Sequence, residues 1–171
     1  MSASLGAFRN DIKNIIVAVD TGETIDGVPV RTWKNIQKAF TQGVEFGMKA
    51  IILNSMVINL GYTYLDTEDR DTKKELTYNP HNTASIGLDY EIKPWKTSFH
   101  WRTNYISEAY TDEANTKKTE DYYISSLKII KNITKNIMVS LDMDNIFESD
   151  YGEPERDWLG RVIFGKITIN I

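Results

Sequence analysis

Apolar and polar residues alternate with a period of two along most of this chain, and no stretch sustains the 3.6-residue period of a helix. Residues 84–92 are the cleanest case. There Ala84, Ile86, Leu88, Tyr90 and Ile92 alternate with Ser85, Gly87, Asp89 and Glu91. Successive side chains of an extended strand point to opposite faces, so the segment presents one apolar and one polar face. A chain built from such segments is all-β, and its function turns on what lies against each face.

Eight strands are predicted. The first is irregular through Leu5, Ala7 and Phe8 and continues into the apolar run Ile15-Ile16-Val17-Ala18-Val19. The second covers about 32–52, with Val44, Phe46, Met48, Ala50 and Ile52 on one face and Gly43, Glu45, Gly47 and Lys49 on the other. The third alternates Ile58, Leu60, Tyr62 and Tyr64 with Asn59, Gly61 and Thr63, and the fourth is 84–92. Phe99, Trp101, Thr103 and Tyr105 mark the fifth, Tyr123, Ser125, Leu127 and Ile129 the sixth, and Ile137, Val139, Leu141 and Met143 the seventh. The last, 161–171, sets Ile163, Ile167, Ile169 and Ile171 against Val162, Phe164, Lys166, Thr168 and Asn170.

The connections alternate in length. Long polar loops are expected after the first strand (Asp20-Thr21-Gly22 through Asp26-Gly27-Val28-Pro29) and over 66–80, 107–120 and 148–159. Short turns are expected at Leu53-Asn54-Ser55, Lys93-Pro94-Trp95-Lys96 and 132–136. Brief turns on one side and extended loops on the other are the plan of an outer-membrane barrel, in which an even strand number brings both ends to the short-turn side.

Alternation alone leaves the solvent on each face open. A soluble barrel of lipocalin type turns its apolar face inward, whereas a membrane barrel turns it to lipid. Uncharged apolar faces favour lipid, as do aromatics near strand ends, among them Tyr62, Tyr64, Tyr90, Trp95, Tyr105, Tyr110, Tyr122, Tyr123 and Trp158. His100, Arg102, Glu45, Lys49 and Asp89 on the opposite faces suit a wet lumen. No run approaches the length of a transmembrane helix, and residues 1–20 lack the features of a signal peptide. The net charge of -4, with basic residues scattered among acids, argues against a nucleic-acid partner.

From about Arg31 onward the sequence resembles the C-terminal barrel portion of TonB-dependent outer-membrane receptors. The residues that carry the likeness occur in order. They are Trp33-Lys34-Asn35, then Ala39 with Gly43-Val44-Glu45, then Gly61-Tyr62-Thr63-Tyr64-Leu65-Asp66. Tyr78-Asn79-Pro80-His81-Asn82 follows, then Asp144-Asn145-Ile146-Phe147-Glu148-Ser149-Asp150-Tyr151, and finally Gly160-Arg161. The resemblance implies barrel wall and extracellular loops of a receptor importing a scarce nutrient such as a ferric siderophore, haem or cobalamin. It further implies an outer-membrane location, lipid as a partner, and energising by TonB through a plug domain outside this chain. The whole of 1–171 is then expected to be one barrel segment, without plug or signal peptide.

No catalytic, cofactor or metal site is expected. His81 and His100 are the only histidines and fall at a loop entry and in mid-strand, which disfavours a hydrolytic triad or a His-rich metal site. Asp142, Asp144, Glu148 and Asp150 lack the spacing of a calcium loop and read as turn and lumen acids. The sequon Asn132-Ile133-Thr134 reads as a turn. The alternative to a receptor segment is a small stand-alone eight-stranded outer-membrane barrel with a structural or binding role. Against closure, Glu45, Lys49, Asp89, Glu91, Arg102 and Asp142 would share a narrow interior, where unpaired charge is costly. An open curved sheet or a marginal closed barrel is the expectation, decided by whether the first and last strands pair.

Overall fold

A computed structural model describes residues 1–52, 54–151 and 160–170. Among these, eight strands form one antiparallel sheet in sequence order. They are β1 (Ser2–Ile25), β2 (Val28–Ile52), β3 (Met56–Asp69), β4 (Asn82–Ile92), β5 (Thr97–Ile106), β6 (Tyr122–Asn132), β7 (Ile137–Asp144) and β8 (Val162–Ile169). β1 pairs only with β2 and β8 only with β7, so the sheet is an open segment of a barrel wall.

Register carries the alternation from strand to strand. On one face Leu5 lies beside Phe46, Phe46 beside Tyr62, Tyr62 beside Ala84, Ala84 beside Tyr105 and Tyr105 beside Tyr123. A lower row runs through Met56, Tyr90, Phe99, Ile129 and Leu141. The opposite face holds Lys49, Asn59, Gly87 and Arg102 in one row and Asp89, His100, Lys128 and Asp142 in the next. A one-residue slip anywhere would exchange the two faces, so this continuity fixes the register of the whole sheet.

The described residues hold little core. Val19, Ala39, Leu76 and Ala109 are the buried hydrophobics, whereas Ile163 is 60% exposed and Ile167 71% exposed. A contiguous apolar face of this extent marks a surface made for another apolar phase. On that face the Thr103 and Ser125 hydroxyls bond to each other at 2.7 Å, and Ser125 is buried.

Two expected loops are strand instead. The long loop after the first strand is replaced by a continuous hairpin, in which Ile15-Ile16-Val17-Ala18-Val19 and the preceding segment belong to one 24-residue strand. The hairpin closes on Asp26 and Gly27 alone, both with positive φ (51° and 79°), the conformation that an Asp-Gly pair supplies in a type I′ turn. The polar residues that looked like loop form a bulge. The register shifts between Asp20 and Thr24, Gly22 has φ 81°, and Asp20 Oδ1 accepts from the Gly22 amide at 2.8 Å. Likewise β3 continues to Asp69, paired through Ala39, so the charged segment 66–69 is strand.

The short turns are as expected where described. Pro94 sits in a one-turn 3-10 helix, Lys93–Trp95, closed by Lys96 at φ 50°. Thr134 Oγ1 accepts from the amides of Asn136 and Ile137, which makes Asn132-Ile133-Thr134 part of a turn. Leu53, Trp158 and Ile171 lie outside the described residues.

Candidate lumen wall and loop cluster

The polar face is hollowed by small residues. Gly47 lies directly opposite Gly61, and Ser4 and Ser85 flank the pair. A Cβ on Gly61 would sit 2.6 Å from Ser85 Oγ, and one on Gly47 2.9 Å from Ser4 Oγ. With Glu45, Thr63, Thr83 and Asn104 these residues line a groove of about 690 Å³. Beside it lies a charged groove of about 490 Å³ between His100, Arg102, Lys128 and Asp142.

His100, Arg102, Lys128 and Asp142 in that second groove all have polar partners. Asp89 receives the His100 imidazole at 2.8 Å, the Asn59 amide at 3.2 Å and the Arg102 guanidinium at 3.5 Å. Lys128 pairs with Asp142 at 2.7 Å. Each carboxylate of this row is bonded to a basic neighbour, which makes a polar wall suited to contact with water or with another polar surface.

Above the strands the loops fold together. The Leu76 amide donates to Thr67 Oγ1, and Leu76 packs on Ala39 and Val17, so residues 70–78 turn inward over the polar face. Thr77 Oγ1 donates to the Ala18 carbonyl at 2.8 Å, and the Tyr78 amide to the Tyr110 carbonyl at 2.7 Å. Arg31 lies over the Tyr78 ring, Lys34 pairs with Glu113 at 2.8 Å, and Asn115 Oδ1 accepts from the Glu75 amide. The hairpin and two loops are thus one cross-braced cluster. Asp112 anchors the second loop by accepting from the amides of Thr116 and Lys117. Burial opposes ionisation there, but these bonds hold its carboxyl below the usual range.

The structure gathers most of the motif residues at two points of the rim. At the first, His81 stacks on Tyr64 at 5.9 Å between centroids, its Nδ1 is 2.7 Å from the Leu65 carbonyl and its Nε2 is 2.9 Å from Glu75. Pro80 delivers the chain to this point, and Tyr62 donates to Asn82 at 2.7 Å. At the second, buried Asn145 (φ 49°) holds Ser149 with both ends of its side-chain amide. Phe147 meets Tyr123 edge-on, Tyr151 lies against Tyr122, and Arg161, next to Gly160, pairs with Glu148 at 2.9 Å. Gly43, Val44 and Glu45 lie lower on β2, and Asn35 stands apart on the hairpin opposite Ile16. The alternation gave no hint of Glu75, because it belongs to a segment without periodicity. Among the described residues no group of three or more His, Cys, Asp or Glu is placed to hold a metal ion.

An open antiparallel meander with an apolar outer face, a hollowed polar inner face and long loops folded inward defines a segment of a membrane β-barrel wall. The chain belongs to the TonB-dependent receptor-like β-barrel family, whose profile matches residues 1–146. It is 26% identical over 153 residues to the ferrienterobactin receptor of Escherichia coli, covering 82% of this chain and 20% of that protein. It is 26% identical over 117 residues to the vitamin B12 transporter of Photobacterium profundum, covering 68% of this chain and 19% of that one. A ferric enterobactin receptor from Pseudomonas aeruginosa superposes with a TM-score of 0.72 at 20% identity, covering 98% of this chain and 28% of the other. The chain therefore spans about a fifth of the length of the curated relatives.

Proposed function

We propose that this chain supplies barrel wall and extracellular loops to an outer-membrane receptor that imports a scarce nutrient, of the ferric-siderophore or cobalamin class named for its relatives. The observation that carries the proposal is the cross-braced loop cluster folded over a hollowed polar wall, in a chain that belongs to this family. A ligand arriving from outside meets the hairpin and the loops 70–81 and 107–121 first. The polar face beneath gives it a wet path along the wall.

In this scheme the chain has no catalytic role and binds no cofactor, and one barrel segment occupies all of 1–171. TonB acts on it only through a plug domain on a different stretch of polypeptide. The residues of the two rim clusters, with Asn35, Gly43, Val44 and Glu45, serve as structural signatures of the barrel and not as ligand contacts.

The test is uptake in a strain whose sole receptor of this class is the protein carrying this chain. Labelled ferric catecholate siderophore and labelled cobalamin are supplied separately, with and without TonB. TonB-dependent accumulation of one of them is expected. Accumulation of neither, or uptake indifferent to TonB, would overturn the proposal.

A further inference from the structure

Both ring nitrogens of His81 face oxygens that can only accept. Nδ1 is 2.7 Å from the Leu65 carbonyl and Nε2 is 2.9 Å from a carboxylate oxygen of Glu75. A neutral imidazole has one N–H and one lone pair, so it satisfies one of these oxygens and sets its lone pair against the other. The imidazolium donates to both. The arrangement fits the charged ring, and loss of one proton breaks one contact.

The contact that gives way is the one to Glu75. Residue 81 is tied to β3 a second time by its own carbonyl, which accepts from the Leu65 amide at 2.8 Å, and its ring is stacked on Tyr64. Glu75 lies in the loop between β3 and β4, where no strand pairing holds it.

Glu75 also joins the two long loops. Its amide donates to Asn115 Oδ1 at 2.8 Å and its carbonyl accepts from Asn115 Nδ2 at 3.2 Å. The loop 107–121 thus grips the backbone of the same residue that the rim holds by its carboxylate. Glu75 from the loop, with Tyr64 and Asp66 from β3, surrounds the ring, and Lys118 of the second loop, bonded to Glu108, feels the Glu75 charge. Burial alone would lower the pKa of the ring, but the Leu65 carbonyl and the Glu75 and Asp66 carboxylates raise it. The other braces of the cluster, Leu76 on Ala39, Thr77 on Ala18 and Lys34 on Glu113, involve no imidazole, the side chain whose ordinary titration falls between about pH 5 and 8.

We infer that His81 and Glu75 form a proton-dependent latch, which holds the loops 70–81 and 107–121 together against the rim and loosens both when the ring becomes neutral. The inference goes beyond the import reading and is independent of which nutrient is taken up.

The test uses the purified protein carrying this chain, in detergent, with a nitroxide on a single cysteine placed either at Thr72 or at Ala114, both exposed loop positions. Mobility is read from the electron paramagnetic resonance spectrum at about pH 5.5 and about pH 8.5, on either side of the imidazole titration. At both positions the mobile fraction should rise about fivefold with pH, the change that a partly exposed ion pair supports. Its midpoint should lie above the ordinary value of about 6.5 for imidazole. A spectrum at Ala114 that does not change with pH would overturn the latch. Glu75→Gln offers an amide N–H to the lone pair of the neutral ring, so this variant should stay immobile at the higher pH; release like that of the parent would overturn the role of the carboxylate. His81→Phe keeps an aromatic ring beside Tyr64 and loses both hydrogen bonds, so it should be mobile across the range. Immobility of that variant, or a pH response left in it, would place the holding contact or the proton elsewhere and overturn the latch as well. Loop motion is read directly, so failure of nutrient uptake and failure of the latch are separate results.

Discussion

At Gly43 an added Cβ would run into the carbonyl oxygen of Tyr64 on the neighbouring strand and against the ring of Phe8. At Gly165 it would meet nothing. Gly43→Ala should therefore cost about 1–3 kcal/mol, the usual cost of overpacking. Gly165→Ala should fall within about 0.5 kcal/mol of the parent. Urea unfolding in detergent, followed by tryptophan fluorescence, distinguishes the two, and equal midpoints would remove the argument from close packing. His81 makes a second prediction. Burial alone would lower its pKa, but the Leu65 carbonyl and the Glu75 carboxylate outweigh burial and raise it above the ordinary 6.5. A raised folded-state value means that the stability from this contact is fully present below about pH 6.5 and is lost as pH rises through the higher folded value. Imidazole nitrogen shifts in the NMR spectrum should show this, and Glu75→Gln should lower the titration midpoint.

Among the elements, the β1–β2 hairpin depends most on a single turn. Gly27→Val places a β-branched residue at φ 79°, where L side chains are strained. Amide exchange over residues 17–34 should then quicken at least about tenfold, because a local opening of this kind leaves the rest of the sheet protected. Uniform quickening across β3–β8 would mean that the hairpin is not an independent element. This is also where the sequence was least legible. Strands β3–β7 could be located from alternation because each keeps strict parity, although the charged end of β3 at 66–69 reads as loop. In β1 the bulge at 20–24 places Asp, Thr, Gly and Glu within a paired strand, and locally they resemble a loop. Asn14 at φ 57° adds a second interruption: Val17 and Ala39 both pack on Leu76, although strict parity from Ile12 would place them apart. The rim clusters were legible only as motifs. Spacing could reveal neither that Tyr64, His81 and Glu75 meet nor that Asn145 clamps Ser149, because both contacts are made by segments without periodicity.

For the whole molecule, the apolar face replaces the core as the surface that must be covered. With so few hydrophobic side chains buried among the described residues, the sheet has little of its own to hold it in plain buffer. Removing detergent should yield large aggregates by light scattering, and a folded monomer without detergent would refute the orientation of the faces. The two outer strands, each paired on one side only, make the same point for the backbone. β1 offers its free side over 24 residues and β8 over 8. A neighbour of ordinary membrane-strand length, about ten residues, matches less than half of β1. Backbone groups cannot go unmet in hydrocarbon, so the unmatched upper part of β1 must stand in water. The length of that one strand thus acts as a waterline, fixing how far this wall rises above the bilayer.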